Sequence, residues 1–196
     1  RKLGEMGAPA VKVIAGREIR FCCAGCISTL EQDPVAYLTK VDEQITKDQL
    51  RLYPLDRSVV SNKQLGAENE PFDFVYQNRL VRVTSEAERT AFLASAGTYV
   101  AKLEQAAAAR QAERYPLATC LVDGQPLGEK PTEFVAAGRL VRLCQPADQN
   151  ASCKDPARFL IQLDQAWASK GDYPQAGPPP AQAPEGHEGH RHGAEQ

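Results

Sequence analysis

Hydrophobic and polar residues alternate in three pairs of short runs along the chain. The runs are VKVIAGREIRF, FDFVYQNRLVRV and EFVAAGRLVRL, and each has a turn residue near its centre, at Gly16, Asn78 or Gly138. Glycine and asparagine tolerate the positive φ that tight hairpin turns require. Alternation on both sides of such a turn is typical of a β-hairpin. The sequence therefore predicts three hairpins.

A segment with helical spacing follows each hairpin. Asp33 and Pro34 fit the cap and first position of the first helix, and Asp155 and Pro156 fit those of the third. Apolar residues three and four positions apart share one helix face, which would pack on the hairpin. They are Tyr37, Leu38 and Val41, then Tyr99, Val100 and Leu103, then Phe159, Leu160, Leu163 and Trp167. This pattern predicts an α+β fold.

The hairpin-plus-helix pattern is repeated in tandem. YPLDRSVVSNKQLG begins at Tyr53, and the related YPLATCLVDGQPLG begins at Tyr115. We expect one unit at 1–48, truncated at its N-terminus, a second at 49–112 and a third at 113–171. The remaining segment, 172–196, is rich in Pro, Ala and Gly without periodicity, and we expect it to be a disordered tail.

Charge and composition exclude several functions. The formal net charge of −2 gives no basic field for nucleic acid. No apolar run approaches the roughly 20 residues that span a membrane. All three histidines, His187, His190 and His192, lie in the last ten residues, so the body of the chain lacks the usual general base. We therefore expect no enzymatic activity.

Three cysteines lie between the first hairpin and its helix. Cys22 and Cys26 have the spacing that places two sulfurs on one helix face, and a helix N-terminus lowers thiol pKa values. Soft thiolates select Cu(I) or Zn(II) over hard cations, and three of them suit trigonal Cu(I). Cys23 is expected to point away in an extended segment and to serve as an auxiliary ligand. Disulfide or redox use and simple packing remain alternatives for these thiols.

The other two units carry fewer thiols. Cys120, Cys144 and Asp148 occupy the corresponding positions of the third unit and predict a weaker metal site. A disulfide between Cys120 and Cys144, or between Cys144 and Cys153, is an equal alternative. The second unit has no thiol and should bind no metal; its matching residues are Ser58, Thr84 and Glu88.

Two further sets of polar residues give weaker predictions of function. Arg17 and Arg20 would assist the first thiols if they faced them, but the arginines matched in all units are expected to form a solvated strand face. The C-terminal HEGHRH, with His187, His190 and His192, predicts a low-affinity metal handle or merely a solvated tail. Its spacing differs from the HExxH of zinc proteases.

The segment GREIRFCCAGCISTLEQDPVAYL resembles the second half of the TRASH/YHS-type metal-binding module. The matching residues, in order, are Phe21, Cys22, Gly25, Cys26, Asp33, Pro34, Tyr37 and Leu38. TCLVDGQPLG, with Cys120, resembles the first half of the module. The resemblance implies compact treble-clef-like units that bind or sense heavy metals such as copper or zinc.

These observations together predict a non-enzymatic protein for Cu(I) or Zn(II) trafficking, storage or sensing. Its partners would be the metal ion and metal-transport proteins. The Pro/Ala-rich linkers and the His-rich end favour a bacterial periplasm or cell envelope over the cytoplasm. The alternative is a structural or interaction repeat protein that has lost most of its metal sites and is stabilised by disulfides. A thiol oxidoreductase is a weaker third hypothesis because Cys-x3-Cys differs from Cys-x-x-Cys.

Overall fold

The computed structural model describes residues 9–171, in which a hairpin followed by two helices occurs three times. The predicted tail at 172–196, with its histidines, lies outside the described residues. None of the described helices is both long enough and apolar enough to cross a membrane. The elements are β1 (Ala10–Ile14), β2 (Arg17–Phe21), α1 (Gly25–Gln32), α2 (Pro34–Leu50), β3 (Phe72–Tyr76), β4 (Arg79–Val83), α3 (Glu86–Ala94), α4 (Ala96–Ala112), β5 (Thr132–Ala136), β6 (Arg139–Leu143), α5 (Ala147–Lys154) and α6 (Pro156–Lys170).

The three predicted hairpins and the α+β class are confirmed. Each hairpin is a two-stranded antiparallel sheet whose strands pair over five residues, from Ala10 opposite Phe21 to Ile14 opposite Arg17 in the first. The turn residues Gly16, Asn78 and Gly138 have φ values of 72°, 60° and 77°. Since the preceding residue of each turn also has positive φ, the turns match the handedness of the strands they join.

The helical part of each repeat differs from the prediction of a single helix. A short helix precedes each long one: α1, α3 and α5 lie directly after the hairpins. Asp33 caps α2 as predicted, because its carboxylate accepts a hydrogen bond from the Ala36 amide at 3.0 Å. The long helix α2 extends to Leu50, two residues beyond the boundary expected for the first unit.

Each hairpin and its helices enclose a separate apolar core. The predicted helix stripes lie in these cores, with Leu103 buried in the second and Phe159, Leu163 and Trp167 buried in the third. The first core is the smallest and contains Ile19, Phe21 and Leu30 as its buried residues. Small cores gain little stability from burial, so the contacts between neighbouring units matter.

A buried glutamine at the end of a long helix fastens the next hairpin. Gln111, near the end of α4, donates to the Gly138 carbonyl at 2.8 Å and accepts from the Leu140 amide at 2.9 Å. Gln49 of α2 makes the same pair of contacts with the β3–β4 hairpin, at 2.9 and 3.0 Å. Each side-chain amide thus satisfies two backbone groups that the hairpin leaves without a strand partner.

The strand arginines are not a solvated face, and that prediction was wrong. Arg139 is 3% exposed and Arg17 is 9% exposed. The first arginine of each second strand forms an ion pair with the following long helix: Arg17 with Asp42, Arg79 with Glu104, and Arg139 with Asp164.

Neither arginine of the first unit is directed at the thiols. Arg17 is held by Asp42 and by the Asn78 side chain. Arg20 pairs with Glu18 and donates to the backbone carbonyls of two residues at the end of α5, Cys153 and Lys154. The condition under which these arginines would assist the thiols is therefore not met.

Candidate metal centre

The first thiol cluster consists of Cys22, Cys23 and Cys26 and lies where β2 passes into α1. The backbone turns sharply here, since the amide of Cys26 donates to the carbonyl of Cys23 at 3.2 Å. The Sγ atom of Cys26 lies 3.5 Å from that of Cys22 and 3.6 Å from that of Cys23. All three Sγ atoms lie within 4.8 Å of one another. The predicted approach of Cys22 and Cys26 is thus present.

Cys23 departs from its expected orientation. The sequence predicts an extended segment in which Cys23 points away from its neighbours. The structure instead places Cys23 at the start of the turn into α1, and its side chain folds back onto Cys26. The first thiol cluster therefore offers three sulfurs around one point.

The surroundings leave these sulfurs half-buried. All three cysteines have intermediate exposure, and Cys26 packs against the first core together with Ile27 and Tyr37. The core fixes the inner side of the cluster while the outer side remains open to solvent. Such a position allows an ion to enter without unfolding the unit.

Contacts within the first thiol cluster shift the pKa values of Cys23 and Cys26. Hydrogen bonds with the side chain and backbone of Cys26 lower the pKa of Cys23, whereas the contacts with Cys22 and Cys23 raise the pKa of Cys26 to about 11. The expectation that the helix N-terminus lowers these pKa values is wrong for Cys26. Proximity to two other sulfurs makes its thiolate costly unless a cation is also present.

A second group of ligand atoms, the mixed cluster, consists of Cys120, Asp123, Cys144 and Asp148. The thiol of Cys144 donates to Asp148 at 3.1 Å and to Asp123 at 3.4 Å, and the thiol of Cys120 lies 3.6 Å from Asp148. The three residues predicted for the third unit are therefore brought together, and Asp123 joins them.

Sequence reasoning missed Asp123. Asp-Gly is an ordinary turn signal, and Gly124 does adopt a left-handed φ of 73°. The tight turn is closed by hydrogen bonds from the Gly124 amide to the Cys120 carbonyl and from the Cys120 amide to the Gln125 carbonyl. It carries Cys120 and Asp123 on one short loop. The Cys-x2-Asp spacing was the signal that could have identified the pair.

The protonation of the mixed cluster follows from its contacts. The hydrogen bond to Asp148 and burial both raise the pKa of Cys144. The hydrogen bond from the Gln125 amide is the main cause that lowers the pKa of Asp123. The cluster therefore contains ionised carboxylate beside neutral thiol.

All six cysteines are free thiols in this structure. Neither of the disulfides considered for Cys120, Cys144 and Cys153 is formed, and Cys153 is exposed on the surface.

The second unit shows what replaces the thiols at matching positions. Ser58 donates to the Glu88 carboxylate at 2.6 Å, and the Thr84 amide donates to the same oxygen at 2.9 Å. Burial alone would raise the pKa of Glu88, but the hydrogen bonds, with Ser61 contributing, outweigh it and lower the pKa to about 2. Neutral donors thus satisfy this carboxylate.

Comparisons with protein families, with curated proteins and with solved structures gave no match.

Proposed function

We propose that this protein binds a soft metal ion, Cu(I) or Zn(II), at Cys22, Cys23 and Cys26, and acts in metal trafficking, storage or sensing. The observation that carries this proposal is the convergence of three half-buried Sγ atoms within 4.8 Å of one another. Partly exposed thiols that face one another can coordinate one soft cation together as thiolates.

The spacing of the sulfurs fits an ion at their centre. A metal–sulfur distance of about 2.3 Å separates the ligands of a trigonal site by about 4 Å. The contacts of 3.5 and 3.6 Å that Cys26 makes expand to this value with small side-chain rotations. Residues 9–171 supply three sulfurs and no fourth ligand to this point, which favours Cu(I), because structural Zn(II) takes four.

The position of the first thiol cluster suits exchange of the ion. Its outer side is open, so a partner thiol can approach a bound Cu(I) as a further ligand. The proposal names metal-transport proteins as the partners that would supply this thiol, and a bacterial envelope as the compartment. The three units that carry the site would be treble-clef-like units of the TRASH/YHS type.

An anaerobic competition titration tests the proposal. The full chain is titrated with Cu(I) against a chromogenic chelator, after His187, His190 and His192 have been replaced by Asn to remove the tail imidazoles. We expect one tight equivalent of Cu(I). The double variant Cys22→Ser/Cys26→Ser should bind that equivalent more than about 100-fold more weakly, since loss of outer contacts alone costs 10- to 100-fold.

Cys153→Ser is the matched control because this thiol is exposed and lies outside both clusters. It should leave the titration unchanged. Equal Cu(I) affinity of the double variant and the control would refute the proposal.

The alternative function is a structural or interaction repeat protein. The hydrogen bonds of Ser58 and Thr84 to Glu88 favour it for the second unit, where polar contacts replace the thiols. On this alternative, metal ions would leave the stability of the whole chain unchanged. A thermal unfolding series with and without one equivalent of Cu(I) separates the two functions.

A further inference from the structure

The mixed cluster draws its four ligand atoms from separate parts of the third unit. Cys120 and Asp123 lie on the tight loop that precedes β5, Cys144 follows the last residue of β6, and Asp148 lies in the first turn of α5. One atom from each residue lies within 4.8 Å of the other three. The cluster therefore joins a loop, a strand end and a helix around one point.

The carboxylates of the mixed cluster have no Lys or Arg partner among the described residues. Asp148 is only 8% exposed, and its side chain contacts the two thiols and the Gln145 amide. No Lys or Arg in the described part of the chain forms an ion pair with Asp123 or Asp148. Buried carboxylates are normally paired with a base or bound to a metal.

The second unit provides an internal comparison. There a single carboxylate, Glu88, occupies the place of Asp148, and Ser58 and the Thr84 amide donate to it. In the third unit Cys120 and Cys144 stand at the positions of Ser58 and Thr84, and Asp123 adds a second carboxylate. The third unit therefore brings together two thiols, which can lose their protons to bind a metal, and two carboxylates, whereas the second unit has one carboxylate held by neutral hydroxyl and amide donors.

We propose that Cys120, Asp123, Cys144 and Asp148 form a four-coordinate Zn(II) site that fastens the 120–125 loop to α5. Zn–S distances of about 2.3 Å and Zn–O distances of about 2.0–2.2 Å place tetrahedral ligands about 3.3–3.8 Å apart. The contacts between the thiols and carboxylates are 3.1–3.6 Å. The site needs little rearrangement to reach that geometry.

The ligand set distinguishes this site from the first thiol cluster. Carboxylate oxygens are hard ligands that Zn(II) accepts, whereas Cu(I) prefers sulfur alone. Four protein ligands close the coordination shell, and Cys120 is only 2% exposed, which is typical of a structural site rather than an exchange site. The proposal does not depend on Cu(I) binding by Cys22, Cys23 and Cys26.

The test uses the full chain with the first thiol cluster removed by Cys22→Ser, Cys23→Ser and Cys26→Ser, and with the tail histidines replaced by Asn. This background protein is titrated with Co(II), as a spectroscopic probe, and with Zn(II) against a chromogenic chelator. We expect one equivalent of either ion, with Co(II) giving tetrahedral d–d bands and thiolate charge-transfer absorption. Zn(II) should also raise the unfolding temperature followed by Trp167 fluorescence, since Trp167 is buried in the adjoining core.

Asp123→Asn is the decisive variant because Asp123 is exposed, so its loss should not unfold the chain. It should lower Zn(II) affinity by more than about tenfold, since removal of mere outer-shell contacts already costs that much. Glu129→Gln, which changes an exposed carboxylate between the 120–125 loop and β5, is the control and should change nothing. Equal Zn(II) affinity of Asp123→Asn and the control, or octahedral Co(II) without thiolate absorption, would overturn the proposal and would leave Cu(I) binding by the first thiol cluster unaffected.

Discussion

Replacing Gln111 with Ala should strongly destabilise the junction between α4 and the third hairpin. Gln111 is 1% exposed, and its side-chain amide bridges the Gly138 carbonyl and the Leu140 amide at 2.8 and 2.9 Å. Alanine leaves both backbone groups buried without a partner. It also leaves a cavity where the side chain packed.

The magnitude follows from the two lost hydrogen bonds. Leaving a buried neutral group unsatisfied costs about 1–3 kcal/mol, so two groups cost about 2–6 kcal/mol. This is a large part of the total stability of a small protein. Replacement by Leu fills the space but leaves the same two backbone groups unsatisfied, so it should recover only a minor part of the loss.

Urea unfolding followed by Trp167 fluorescence is a suitable assay. Trp167 is the only tryptophan of the chain and shares the third core with Leu140, which the glutamine positions. Gln105→Ala is the matched control because Gln105 is exposed on the same helix. A free-energy loss for Gln111→Ala no greater than that of the control would refute the bridging role.

Three other substitutions test separate contacts. Arg139→Met should cost about 1–3 kcal/mol in urea unfolding, because it removes the close ion pairs of Asp48 and Asp164 and leaves them with their longer contacts of 3.7 and 3.9 Å to Arg51; a neutral effect would contradict this. Glu88→Gln should remove part of the pH dependence of the free energy of unfolding, since the depressed folded pKa of Glu88 gives stability above about pH 4.5 that is lost as pH falls toward 2. The free energy of unfolding is measured from pH 5 to 2.5, and an equal decrease in the variant and the unsubstituted protein would exclude this role. Asp155→Ala should cost about 1 kcal/mol by removing the cap of α6, measured by thermal unfolding, and Asp155→Asn should retain most of it.

The features that could be predicted from the sequence are those encoded by neighbouring residues. Period-two alternation and the turn residues Gly16 and Gly138 specify the hairpins locally, and Asp33 with Pro34 marks the start of α2. The short helix α1 was not separated from α2 because its N-terminus has no capping side chain. Helix α1 begins at Gly25 because the chain turns after it leaves β2.

The features that were missed depend on residues far apart in the chain. The sequence alone predicts that Arg139 is an exposed strand residue, because Asp164 and Asp48, its partners in the structure, lie on two helices far from it in the chain. The sequence likewise predicts only a turn residue at Asp123, because Cys144 comes beside it through the position of β6. The sequence contains each group, but only the packing of the units determines which groups meet.

In the first thiol cluster, the residue spacing correctly predicts that Cys22 and Cys26 lie together but does not predict the position of Cys23. The predicted approach of Cys22 and Cys26 is present, but Cys22 precedes α1, so the turn at Cys23, not helix periodicity, brings the two sulfurs together. Cys23 departs from its predicted orientation because the chain turns at this residue instead of remaining extended.

X-ray absorption spectroscopy at the copper edge tests the central claim most directly. The full chain, with its tail histidines replaced by Asn, is loaded anaerobically with one equivalent of Cu(I). Convergence of Cys22, Cys23 and Cys26 predicts a first coordination shell of three sulfurs, reduced in Cys23→Ser. A shell dominated by nitrogen or oxygen, or a three-sulfur shell that persists when all three of these cysteines are replaced by Ser, would contradict it.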